Sequence, residues 1–305
     1  MPSDSPPSSP IPTGWRLWWI AARPRTLGLA VTPVLAGSAL AWSEGAPHQW
    51  LPALAALGSA LLIQVGTNLH NDAADFESGN DHPERVGPVR VSAAGWIQPE
   101  TVRRGALFAF GLALALGGYL VQVGGWPILL IGVFSLLAAW SYSGGPHPIS
   151  HTPLGELFVW LFFGLLAVAG SHYLQSGTLA PSALVAGSAL GLLAAAVLMV
   201  NNSRDRVGDI AAGRRTLAAL LGPRRSRQAY AFMVLTPFLL ATLLVFGQPS
   251  RPGVLLTLLL LPACLGLIRA LRQVEGAALN AVLADTARTC FVFGLLLAIG
   301  VSLRI

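Results

Sequence analysis

The sequence predicts an all-α, polytopic membrane protein with nine transmembrane helices around a central cavity, and three observations carry that prediction. Of its 305 residues, 54% are hydrophobic and only 10% are charged, whereas about a quarter of a soluble domain is charged. The apolar residues fall into blocks of about 17 to 23, the length at which an α-helix crosses a hydrocarbon core of about 30 Å. Stretches such as 107–121 and 238–246 are apolar on nearly all sides, where outer-membrane strands would alternate.

Taken in order, residues 1–14 are expected to be a disordered Ser/Pro-rich N-terminal tail, with neither the basic nor the apolar region of a secretory signal. Residues 15–305 read as one transmembrane domain. Spans are expected near 26–42, 51–71, 103–121, 126–143, 154–174, 181–203, 228–247, 253–271 and 283–302. Every basic residue is arginine. With the N-terminus inside, 17 of the 19 arginines fall on the cytoplasmic side and only Arg251 and Arg304 outside. That asymmetry predicts a multi-pass protein of the plasma (inner) membrane with its N-terminus and long loops cytoplasmic. Because these arginines sit in connections between spans, they report topology and not nucleic-acid binding. Cys264 and Cys290 lie inside spans without metal-ligand spacing, as packing residues do.

Eight of the 13 acidic residues lie in two cytoplasmic stretches, 72–102 and 204–227. The end of the second span carries Asn71-Asp72-Ala-Ala-Asp75, with Gly79 and Asp81 beyond. The end of the sixth carries Arg204-Asp205, with Asp209 and Gly213 beyond. Asn71, Asp75 and Gly79 are spaced by four, as are Asp205, Asp209 and Gly213, which stacks the polar pair of each motif on one helical face. The shared register suggests two halves of a pseudo-duplicated bundle facing each other across a cavity. Magnesium takes oxygen ligands and is commonly held by one or two carboxylates plus substrate phosphates, so two opposed sets can grip two Mg²⁺ ions and a diphosphate. Arg25, Arg85, Arg90 and Arg204 lie on the same side, and their planar guanidiniums suit phosphate oxygens.

At these residues the sequence resembles the UbiA-type membrane prenyltransferases, whose fold has nine transmembrane helices and two aspartate-rich motifs. Ala22-Arg23-Pro24-Arg25-Thr26-Leu27, Arg85-Val-Gly-Pro-Val-Arg90, Tyr142-Ser143-Gly-Gly-Pro146, Gly155-Glu156-Leu157-Phe158 and Arg214-Arg215-Thr216-Leu217-Ala218 are similar to the branch that prenylates 1,4-dihydroxy-2-naphthoate. Arginine stands at 25 and 214 where that branch often has lysine.

The resemblance implies a Mg²⁺-dependent transferase whose substrates are a polyprenyl diphosphate and an aromatic acceptor, with decarboxylation of a dihydroxynaphthoate to a demethylmenaquinol. It implies Asn71, Asp75, Asp205 and Asp209 as metal ligands, with Asp72 and Asp81 as second choices. Asp72, Asp75, Asp205 and Asp209 are the catalytic acids on this reading, and Arg25, Arg85, Arg204 and Tyr142 bind the diphosphate. Glu156 is either a cavity residue or a structural acid at a helix start. The alternatives are another acceptor, such as 4-hydroxybenzoate, and, from a different class, an ion-coupled transporter, which would also use intramembrane acids and repeated halves. Chain length of the prenyl group and oligomeric state are not legible.

Overall fold

The computed structural model describes residues 12–79, 86–246 and 250–303, and within them the chain is helical with no strand. A short helix α1 (Trp15–Ala22) leads into α2 (Pro24–Ser43), α3 (Trp50–Glu77) and α4 (Pro99–Ser141). The next crossing is built from α5 (Gly155–Trp160), a π-helical turn (Leu161–Leu166) and α6 (Ala167–Ser176). Then come α7 (Pro181–Ala211), α8 (Leu217–Leu243), a 3₁₀ stretch (Pro252–Leu260) continuing as α9 (Leu261–Gln273), and α10 (Leu279–Ser302).

Eight of these stretches are long and apolar enough to cross a membrane, but α4 crosses twice. Its 43 residues would run about 65 Å as one rod, twice a hydrocarbon core. The chain breaks at Gly125, with φ 68° and ψ −154°, just before Trp126-Pro127. Before the break, α4 runs antiparallel to α3: Gly66 abuts Phe110, and the Ser59 hydroxyl donates to the Ala113 carbonyl at 3.3 Å. After it, Gly170 of α6 meets Ile131, and Trp140 returns to stack on His70 at 4.2 Å between ring centroids. The described residues therefore make nine passes, as the sequence predicts. The helices run further than expected at one end. Helix α3 continues to Glu77 and α7 to Ala211, so both acidic motifs are on helix and not in loops.

Burial identifies the centre. In the most apolar window of α7, 72% of residues are buried, against 11% in α4, so α7 is the inner post and α4 the lipid-facing hairpin, with Phe108, Leu114, Phe134 and Leu137 exposed. Lipid is as apolar as leucine, so close backbone approach and dispersion hold such helices together. A Cβ added at Gly164 would lie 2.4 Å from the Gly187 carbonyl and 2.5 Å from Gly191 Cα. This contact seats the π-helical turn directly on α7. Trp15, Trp18 and Trp19 of α1 are exposed, as expected of rings at a membrane interface.

The end of the bundle away from the acidic motifs is closed by a polar cluster. Glu44 accepts from His172 Nε2 at 2.7 Å, from the Ser182 hydroxyl at 2.6 Å and from Arg251 at 2.6 Å. His172 is fully buried and Arg251 2% exposed. Burial alone would raise the Glu44 pKa, but the hydrogen bonds from His172 and Ser182 and the charges of His172 and Arg251 hold it below the usual glutamate value.

Candidate active site

Between α2, α3, α4, the α5–α6 crossing and α7 lies a cavity of about 1240 Å³. Most of its wall is apolar, with Ala30, Ile63, Leu136, Phe162 and Val197 among the lining residues. Its polar groups gather at one end, where α3 and α7 each present a ladder. Asn68, Asn71 and Asp75 line it from α3, and Asn202, Asp205 and Asp209 from α7. Both ladders follow the same i, i+3, i+7 register, which is one face of a helix.

Asp75 is buried and accepts from two guanidiniums, a close ion pair with Arg90 and a 3.2 Å bond from Arg214. Arg214 also reaches Asp209 at 3.5 Å, so one side chain ties the first motif to the second. The backbone explains how. Helix α7 ends at Ala211, Gly213 takes φ 73°, and Arg214 N–H folds back onto the Asp209 carbonyl at 2.8 Å. Glycine permits that left-handed turn at little steric cost.

Asp205 is clamped by its neighbour. Arg204 donates through Nε at 2.7 Å and through Nη2 at 2.6 Å to the two carboxylate oxygens. Its remaining donors go to Asn201 at 2.9 Å and Asn280 at 2.8 Å. Arg204 lines the cavity and makes four hydrogen bonds to protein groups, two of them to Asp205.

Two expected residues stand elsewhere. The Asp72 carboxylate accepts from the backbone N–H groups of Val91 at 3.1 Å and Ser92 at 2.9 Å and does not line the cavity. It fixes the returning segment that carries Arg90. Adjacent residues on a helix point about 100° apart, so with Asn71 and Asp75 facing inward, Asp72 faces aside. Arg25 is exposed and absent from the cavity wall. Arg23 lines the cavity instead. It is the one described non-glycine residue with positive φ, 53°, and this kink between α1 and α2 brings it to the cavity while Arg25 enters α2 on an outer face. Arg85 and Asp81 lie outside the described residues. Tyr142 lines the cavity. Burial, then the negative charges of Glu156 and Asp75, raises its pKa, so at neutral pH the phenol is an uncharged donor.

Among the described residues no three His, Cys, Asp or Glu side chains converge as a ready-made metal cage. The donor chemistry still fits a hard cation that takes few protein ligands and completes its shell with phosphate oxygens. The Asn71 Oδ1 is buried at the cavity without a hydrogen-bond partner. Beside it stand carboxylates neutralised only by arginines. Arg23, Asn68 and Asn202 receive no role from the sequence motifs, and Arg214 enters there only as a motif residue. The signals were local: Arg23 and Arg25 flank one proline, Arg214 follows the turn glycine, and each asparagine precedes its acid by seven residues.

Residues 30–299 match the model of the UbiA prenyltransferase family. The chain is 35% identical over 295 residues to the 1,4-dihydroxy-2-naphthoate octaprenyltransferase of Escherichia coli, covering 94% of this chain and 95% of that one. It is 32% identical over 287 residues to the Bacillus subtilis protein of the same name, covering 93% and 92%. Its fold superimposes on a UbiA homolog from Archaeoglobus fulgidus bound to DMAPP and Mg²⁺ with a TM-score of 0.62 at 15% identity, over 92% of this chain and 99% of that one.

Proposed function

The chain belongs to the UbiA prenyltransferase family, and we propose that it transfers a polyprenyl group from a polyprenyl diphosphate to 1,4-dihydroxy-2-naphthoate with loss of CO₂, giving a demethylmenaquinol. The observation that carries this reading is the pairing of two asparagine/aspartate ladders with Arg90 and Arg214 at one end of a large, otherwise apolar cavity. Identity to naphthoate octaprenyltransferases over nearly the whole chain supports the choice of acceptor.

In the reaction the allylic C–O bond breaks and its electron pair leaves with the diphosphate. The ring carbon that bears the carboxylate forms the new C–C bond, and loss of CO₂ returns an electron pair to the ring. Asn71, Asp75, Asp205 and Asp209 would hold Mg²⁺, which when bound supplies Lewis-acid neutralisation of the leaving group. Arg90 and Arg214 neutralise Asp75 and Asp209 and offer guanidinium donors for which a diphosphate competes. Arg23 adds positive charge to the same wall. Tyr142, held protonated, can donate to an oxygen of either substrate. The apolar remainder excludes water that would capture an allylic cation, and it accommodates an isoprenoid tail. The arginine distribution supports a reading in which the ladder end of the bundle faces the cytoplasmic side of the plasma membrane.

The test is diphosphate release by the purified protein from a polyprenyl diphosphate in the presence of the naphthoate, with Mg²⁺ or with EDTA. Release that needs both acceptor and Mg²⁺ is the expected result. Release in excess chelator refutes the metal assignment, and no release under any condition refutes the transferase reading.

A further inference from the structure

Asn202 lies one helical turn deeper in the cavity than Asp205, and its amide has a defined orientation. Its Nδ2 donates at 2.9 Å to Glu156 Oε1, behind the cavity wall. Glu156 is 2% exposed and does not itself line the cavity. A carboxylate carries no donor, so it can face only the NH₂ of the amide, and the carbonyl oxygen of Asn202 is turned the other way. The equivalent position of the first ladder is built alike. Asn68 Nδ2 donates to the Ala22 carbonyl at 2.8 Å and to the Thr26 hydroxyl at 3.1 Å, and Asn68 also lines the cavity.

The part of the cavity wall carried by α5 and the π-helical turn is aromatic. Phe158 and Phe162 stack at 5.7 Å between centroids and line the cavity. They flank the start of the π-helical turn, a device frequent at functional sites. The Ser150 hydroxyl lines the cavity, buried without a partner, and Ser150 is joined through its N–H to the Tyr142 carbonyl at 2.9 Å. The wall thus offers hydroxyl donors for a carboxylate and one fixed carbonyl for a hydroxyl.

Resting on the prenyl-transfer reading above, we propose that the Asn202 carbonyl accepts a hydrogen bond from a ring hydroxyl of the aromatic acceptor, and that Glu156 is the positioning residue that fixes the Asn202 amide. Glu156→Gln replaces an obligate acceptor by an amide that either donates or accepts, so the Asn202 carbonyl is no longer held toward the substrate.

Steady-state kinetics with each substrate varied in turn, and Mn²⁺ affinity by electron paramagnetic resonance, test this on the full-length protein in detergent. Glu156→Gln and Asn202→Ala are expected to raise the acceptor KM about tenfold, the effect of losing one hydrogen bond of about 1.4 kcal/mol. The KM for prenyl diphosphate and the Mn²⁺ affinity should stay within twofold. The double variant Glu156→Gln/Asn202→Asp reverses donor and acceptor, keeps an oxygen facing the cavity and should restore the acceptor KM. An unchanged acceptor KM in Asn202→Ala, or a loss confined to Mn²⁺ or prenyl diphosphate binding, overturns the proposal. Absence of turnover by the unaltered protein with the naphthoate would instead refute the acceptor assignment.

Discussion

Asp75 and Asp209, one from each acidic ladder, are bridged by the single guanidinium of Arg214, at 3.2 Å and 3.5 Å. Two carboxylates facing one cavity would repel each other, and their shared arginine, with Arg90 on the far side of Asp75, offsets that repulsion. The two halves of the bundle are therefore coupled through charge at the place where the chemistry needs charge. Asp75→Ala and Asp209→Ala should each lower kcat by about a hundredfold or more. Arg214→Ala should raise the KM for prenyl diphosphate and lower thermal stability, because it leaves two buried acids short of a partner. Turnover and thermal midpoint check both, and an unaltered KM would confine Arg214 to a structural role.

Asp72 separates scaffold from site. Its carboxylate binds backbone N–H groups of Val91 and Ser92, so Asp72→Ala should cost about 1–3 kcal/mol of stability through unsatisfied donors while leaving Mn²⁺ affinity unchanged. Asp75→Ala should do the reverse to metal binding. Equal losses of Mn²⁺ affinity in the two variants would place Asp72 among the ligands.

Arg23 and Arg25 give a sharper contrast because both are arginines beside one proline. Arg23 lines the cavity and Arg25 is exposed. Arg23→Gln should weaken prenyl diphosphate binding by about tenfold, as expected for loss of a charged hydrogen bond, and Arg25→Gln by less than about twofold. Isothermal titration with a non-cleavable prenyl diphosphate analogue reads the difference.

The closed end of the bundle titrates. The folded pKa of Glu44 lies below its ordinary value of 4.5, so its ion pairs contribute stability that is fully present above pH 4.5 and is lost as pH falls through the lower folded value. Thermal midpoints should drop below pH 4.5 in the unaltered protein. Glu44→Gln should be less stable at neutral pH and show a smaller drop, and identical pH profiles would contradict the role given to this cluster.

The passes of the chain are legible because apolar blocks and turn residues are local: Gly124-Gly125-Trp126-Pro127 marks the reversal that splits α4. The register of the ladders is legible as spacing by four. Which neighbour faces inward is not. Asn71 and Asp72 are adjacent polar residues, and their roles diverge only because the segment bearing Val91 and Ser92 packs against one side of α3. The cavity-facing arginine at 23 depends on a left-handed kink at a non-glycine residue, which propensity disfavours. The cluster of Glu44, His172 and Arg251 joins three distant parts of the chain, and no local pattern announces it. The pairing of Glu156 with Asn202 is of the same kind: the carboxylate lies in the first turn of α5 and does not line the cavity.

The central claim is tested most directly by the mass of the product that the purified protein forms with Mg²⁺, a polyprenyl diphosphate and an equimolar mixture of 1,4-dihydroxy-2-naphthoate and 4-hydroxybenzoate. The account predicts a naphthoquinol carrying one prenyl group and lacking the carboxylate. A prenylated hydroxybenzoate that retains its carboxylate would contradict it.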